Sequence, residues 1–144
     1  MEDKYLETLI KLSKKAAKKN DVPVAALIVD NQTGKIISKA YNTRNITQKT
    51  LNHAEIIAIQ KANKKISLWR LNKCTLYVTI EPCEMCKAII KESRISQVYY
   101  LLEKPVTKQQ YNKVKFTKIQ HQNEYLKKYQ KIVDNFWKKL RKMI

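Results

Sequence analysis

Glycine is all but absent from this chain: Gly34 is the only one in 144 residues, accompanied by three prolines and three cysteines. No Gly- or Pro-rich stretch, repeat or low-complexity tract interrupts the sequence, so a single domain over residues 1–144 is expected. A chain of this size can bury roughly 70% of its unfolded surface without staples. Three cysteines, two of them in one Cys-x-x-Cys, exclude a disulfide framework and indicate a reducing compartment. Long apolar runs are missing too. The longest, Val24 to Val29, is far too short to span a bilayer. The polar, acidic start Met-Glu-Asp-Lys-Tyr completes the expectation of a soluble cytoplasmic protein with no membrane partner.

Acids are scarce as well, 12 against 30 lysines and arginines, for a formal charge of +18. An AT-rich genome would account for lysines outnumbering arginines 26 to 4, but the same bias would favour Asp and Glu. The imbalance therefore points to a basic surface for a polyanionic partner, because lysine and arginine rows neutralise phosphates and release counterions. Residues 104–144 concentrate it, with eleven lysines and Arg141 against Glu124 and Asp134.

What is present alternates between helical and strand-like pattern. Residues 2–19 place Tyr5, Leu9, Leu12 and Ala16 at helical spacing until Pro23. Val24–Asp30 and Lys35–Asn42 read as strands joined by a turn that uses the single glycine. A polar loop, Thr43 to Asn52, leads into a helix over His53–Lys65. A strand over Cys74–Ile80 runs through Pro82 into a helix over 83–93, since proline favours a helix start. Gln97–Leu102 reads as a fourth strand and Val114–Ile119 as a fifth. A long basic amphipathic helix closes the chain at about 123–143, with an apolar face of Tyr125, Tyr129, Ile132, Val133, Phe136, Trp137 and Leu140, most of whose aromatics are expected in the core. This order indicates an α/β sandwich built on a mixed five-stranded sheet flanked by helices.

Chemistry concentrates in His53-Ala54-Glu55 and Pro82-Cys83-Glu84-Met85-Cys86. His53, Cys83 and Cys86 make three good zinc ligands, and a catalytic zinc site uses three protein ligands where a structural one uses four. Cys74 is the only thiol that would close the set. A strand from 74 to 80 puts it about 20 Å from the end leading to Cys83, so Cys74 reads as a core thiol. Cys83 and Cys86, three apart, share one side of a helical turn. His53 and Glu55 would diverge in a helix interior and serve one site only if the helix presents its first turn end-on. Zinc lowers the pKa of the water it holds from about 15.7 toward 7, and Glu55 would carry its proton to a ring nitrogen and then to a departing amine. Backbone N–H groups opening the Cys83 helix could stabilise the developing charge. Glu84 faces solvent, and His121 belongs to a polar surface turn.

The combination of HAE with EPCEMC resembles the zinc-dependent cytidine and adenosine deaminase superfamily. Within it the chain is most similar to the bacterial tRNA adenosine deaminases. Val22-Pro23-Val24-Ala25-Ala26 resembles their VPVGA strand, Leu76 to Cys83 their LYVTLEPC, and Phe136-Trp137-Lys138-Lys139-Leu140-Arg141 their FFxxLR helix. The resemblance implies a three-layer cytidine-deaminase-like fold, one zinc ion per subunit, and conversion of adenosine to inosine at the first anticodon position. It also implies a homodimer with the tRNA anticodon stem-loop across the interface. Asn42, eleven residues before His53, would contact the nucleoside, and Lys138, Lys139 and Arg141 phosphate or a flanking base. Two segments depart from the family: Glu103-Lys104-Pro105-Val106-Thr107-Lys108-Gln109-Gln110 replaces DxKxGAxGS, and Lys49-Thr50-Leu51-Asn52 replaces DPTA. Two other readings use the same residues: a deaminase of free cytosine, guanine or a nucleoside, and a non-catalytic zinc- or RNA-binding subunit. Free-base deamination needs no surplus charge, and a mere binder needs no Glu55.

Overall fold

A computed structural model of the chain describes residues 3–105, 113–120 and 123–143. They divide into two units, Met1–Val106 and Thr107–Ile144.

The first unit opens with α1 (Asp3–Lys18), which buries Tyr5, Leu9, Leu12 and Ala16, the stripe set by its helical spacing. Two antiparallel strands follow, β1 (Ala25–Asp30) and β2 (Ile36–Tyr41). Gly34 closes the turn between them at φ 72°, where a side chain would be strained, and its N–H donates to the Asp30 carbonyl at 2.8 Å. A one-turn helix, α2 (Arg44–Thr47), lies inside the segment expected to be loop. Then come α3 (Ala54–Ile66), β3 (Cys74–Ile80), α4 (Glu84–Glu92) and β4 (Gln97–Leu102).

The strands form one mixed sheet in the order β2-β1-β3-β4. β1 is antiparallel to both neighbours, and β3 and β4 are parallel, joined by α4 as a crossover. β1 is central and apolar from its start to Val29, as a strand covered on both faces should be. Alternation along it separates two cores. Ala25, Leu27 and Val29 pack with Tyr77 against Tyr5, Leu9 and Leu12 of α1. Ala26 and Ile28 join Leu76 and Val78 in packing against Ala54, Ile56, Ala58 and Ile59 of α3 and Cys86 and Ile90 of α4. The unit is thus three-layered, α1 on one face and α3 with α4 on the other, as expected of a cytidine-deaminase-like fold. Parallel β3 and β4 bring the loops after their C-terminal ends together, where the site forms: the Glu81 N–H donates to the Leu102 carbonyl at 2.8 Å.

The second unit contains α5 (Asn123–Lys142) and residues 113–120, which carry no secondary structure. The fifth strand expected at Val114–Ile119 is therefore not present, and the sheet has four strands among the described residues. Val114, Phe116 and Ile119 are exposed. β-propensity makes a strand only beside a backbone that completes its ladder. α5 has the expected amphipathic pattern, with a Lys128–Glu124 pair at 3.1 Å and Phe136 edge-on to Trp137. Its apolar face is not core, however. Tyr125, Tyr129, Ile132, Phe136 and Trp137 are all exposed, the burial pattern being a tertiary property that periodicity does not fix. His121 and the 106–110 part of the segment that replaces DxKxGAxGS lie outside the described residues. No described helix is long and apolar enough to cross a membrane.

Candidate metal centre

Both ligand-bearing segments are helix starts, and in each the first ligand is the N-cap residue. His53 caps α3 with extended backbone (φ −76°, ψ 148°), and Cys83 caps α4 likewise (φ −71°, ψ 170°). Their carbonyls accept the opening helical bonds, from Ile57 N–H at 3.1 Å and Lys87 N–H at 2.8 Å. Neither side chain caps its own helix, so the imidazole and the thiol remain available as ligands. The two helices meet on the same face of the sheet, and their first turns converge end-on. This resolves the spacing problem of His53 and Glu55: a cap residue and the second helical residue can address one point beyond the helix end.

His53 Nδ1 lies 3.5 Å from Cys86 Sγ and 3.8 Å from Cys83 Sγ. The three ligand atoms all fall within 4.8 Å of one another. Tetrahedral zinc with Zn–S of about 2.3 Å and Zn–N of about 2.0–2.1 Å requires N···S separations of roughly 3.6 Å. The donor set fits zinc in type and spacing. Cys74 takes no part: it is buried at the start of β3, at the far end of the strand from Cys83, and burial pushes its thiol up.

The electrostatics also call for a cation. Glu55 is 3% exposed and has no ion pair among the described residues. Burial, then the neighbouring Glu55 and Cys83, pushes the Cys86 thiol far above its ordinary range. Burial lowers the His53 imidazole while the Glu55 charge partly opposes it, favouring the neutral ring that a metal needs. A buried carboxylate beside sulfurs is costly alone, and a dication held by the three ligands would offset that cost.

Asn42 sits at the end of β2, 6% exposed, its N–H bonded to the Val24 carbonyl at 2.9 Å. Its Oδ1 accepts the Arg44 N–H at 3.1 Å, so the Nδ2 end is the one that can meet a ligand. Lys138, Lys139 and Arg141 lie exposed near the end of α5, in the second unit. Glu84 faces solvent as expected, its side chain 74% exposed.

Two positioning residues escaped sequence reasoning. Asp21, 5% exposed, accepts Val22 N–H and Ile46 N–H through its two oxygens, both at 2.9 Å, and so ties the turn after α1 to α2. Glu81 accepts from Lys87 Nζ at 3.2 Å and from Lys104 N–H at 3.3 Å, tying the loop before Cys83 to the end of β4. Lys87 holds its carboxyl below the usual range. Only its place within EPC hinted at Glu81, and nothing local marked Asp21.

The profile of the MafB19-like deaminases matches residues 1–141. The chain is 43% identical over 96 residues to a tRNA-specific adenosine deaminase of Bacillus subtilis, covering 67% of this chain and 58% of that protein. It is 47% identical over 91 residues to the tRNA-specific adenosine deaminase of Rickettsia bellii, covering 63% of each. The chain thus spans about three fifths of the length of these relatives. Among solved structures, one from a study of A-to-I editing by tRNA:A34 deaminases is 32% identical, with a TM-score of 0.68, over 72% of this chain and 78% of that one. A guanine deaminase of Bacillus subtilis shares the fold at 24% identity and a TM-score of 0.71, over 90% of this chain and 94% of that one. The chain belongs to the MafB19-like deaminase family.

Proposed function

We propose that this protein hydrolyses the 6-amino group of adenosine at the first anticodon position of tRNA, leaving inosine and ammonia. The observation that carries deamination is the three-ligand cluster of His53, Cys83 and Cys86 with buried Glu55 on the adjoining first turn. The similarity to tRNA-specific adenosine deaminases and the charge of +18 support tRNA as the substrate. The match of the family profile to residues 1–141 supports one deaminase domain over 1–144.

His53, Cys83 and Cys86 would hold one zinc ion per subunit, which would make a water acidic near neutral pH. Glu55 takes the water proton and delivers it to N1 of the adenine ring, which makes C6 electrophilic. The water oxygen adds to C6, and the same carboxyl takes the remaining proton from the new C6 hydroxyl and gives it to the amine as the C6–N bond breaks, leaving the inosine carbonyl, so that one water is consumed and one ammonia released. Burial of Glu55 keeps bulk water from competing for these transfers. Backbone N–H groups opening α4 face the same corner and offset negative charge developing there. Asn42 holds the nucleoside through Nδ2, and Lys138, Lys139 and Arg141 contact phosphate or a flanking base. Loop nucleotides of an anticodon can enter such a pocket without opening a duplex. The reading puts the enzyme in the cytoplasm as a homodimer.

The test is ammonia release by the zinc-loaded protein from a synthetic anticodon stem-loop with adenosine at its first anticodon position, and from free adenosine, cytidine, cytosine and guanine. Inosine formed in the stem-loop is expected. Turnover of free nucleosides or bases alone would replace this reading with a small-molecule deaminase.

A further inference from the structure

A polar groove of about 470 Å3 runs along the free edge of β2, between α1 and the start of α3, and takes its lining from Lys39, Tyr41, Thr43, Asn52, Gln60 and Lys61 among others. Its size falls in the about 300–1,000 Å3 range of ligand sites. No acid lines it. Thr43 and Asn52 are the two ends of the loop that precedes His53, joined by the Thr43 N–H to Asn52 carbonyl bond at 3.0 Å. Two residues of its lining are thus the chain neighbours of Asn42 and of the metal ligand His53.

Lys39 and Lys61 line it, and a third lysine bonds the phenol of Tyr41 in its wall. Lys19 Nζ donates to the Tyr41 hydroxyl at 2.8 Å and lies 5.3 Å from the ring centroid. Lys15 and Lys61 also act on this phenol, and the hydrogen bond from Lys19 holds it below its ordinary value. With its oxygen accepting from an ammonium, Tyr41 keeps its own O–H free to donate to a ligand. Lys61 is held over the groove by donating to the Lys39 carbonyl at 3.2 Å. A phenol donor among lysines, with amide and hydroxyl groups beside it, is suited to a phosphodiester and a ribose. A second copy of this chain, at +18, would bring like charge to it.

We propose that this β2-edge groove receives the sugar-phosphate backbone of the RNA beside the nucleotide being deaminated, with Lys19, Tyr41 and Lys61 as the phosphate-binding residues. The assignment rests on the tRNA reading above and adds a phosphate-binding surface within the first unit.

The experiment compares the zinc-loaded wild type with Lys19→Ala/Lys61→Ala and with a control, Lys35→Ala/Lys73→Ala, which removes two lysines elsewhere. The probe is the synthetic anticodon stem-loop, assayed over a salt series. For the groove variant KM is expected to rise about tenfold with kcat within twofold, and the dependence of log KM on log salt to flatten by about 0.7 for each phosphate that the variant no longer neutralises. The control should match wild type. Wild-type KM and slope in the groove variant, or an equal loss in the control, would overturn the assignment while leaving the tRNA reading intact. A change in sedimentation of the groove variant without RNA would instead mark the groove as an interface between copies and overturn it. Failure of the wild type itself to deaminate the stem-loop would remove the tRNA reading and this one with it.

Discussion

Glu55 is the residue on which turnover and metal binding part company. It is buried beside the ligand cluster without being needed to complete it. Glu55→Gln keeps the shape and the hydrogen-bonding capacity but cannot shuttle a proton. Zinc content and stem-loop affinity are expected to stay near wild type while kcat falls about 10²- to 10⁴-fold, readable by metal analysis, filter binding and single-turnover kinetics. Near-wild-type turnover would overturn its role. That His53, Glu55, Cys83 and Cys86 come together was legible in the sequence because each pair sits within one helical turn. Asp21 and Glu81 were not, for a physical reason. Asp21 serves the amide of Ile46, and Glu81 serves Lys87 and the Lys104 amide, partners that only the folded chain brings near. The groove around Tyr41 is hidden in the same way, its wall running from α1 to α3.

The scarcity of glycine has its effect on the helix ends. Gln48, Ser67 and Arg94 adopt positive φ between 56° and 64°, where glycine or asparagine would ordinarily stand, as Asn20 does at φ 59°. Ser67 closes α3 at φ 57° and ψ 31°. A side chain there costs about 1–2 kcal/mol, partly offset by the greater unfolded-chain entropy of glycine. Ser67→Gly should therefore stabilise the protein by up to about 1 kcal/mol, seen as a higher midpoint in urea unfolding; a lower midpoint would show that the conformation is not strained. The elements themselves were largely legible because β1, β3, α1 and α3 carry strong periodicity and clear stops. Residues 113–120 and the apolar face of α5 were misjudged because pattern records what a segment is suited to bury. Whether it meets a partner is decided elsewhere in the molecule. α2 escaped notice because one turn in a polar segment, with Ile46 its sole apolar residue, has no periodicity to read.

Across the whole molecule, one cluster of ligands joins two helices that are distant in sequence. His53 and Cys83 occupy positions where a serine or aspartate would normally pin a helix start, yet neither performs that service. If zinc binds where the ligands converge, it fastens both starts at once. Stripping zinc with a chelator should then speed hydrogen exchange at the amides of Ile57 and Lys87, which form the opening bonds of α3 and α4. The amides of Leu27 and Leu76, deep in the sheet, should keep their protection, and zinc should restore the rest. Equal exchange with and without zinc would show that the helix ends hold themselves. The expected fraying has a biological corollary: a cell short of zinc would lose the paired helix starts before it lost the sheet. Refilling the site could then revive standing protein without new synthesis.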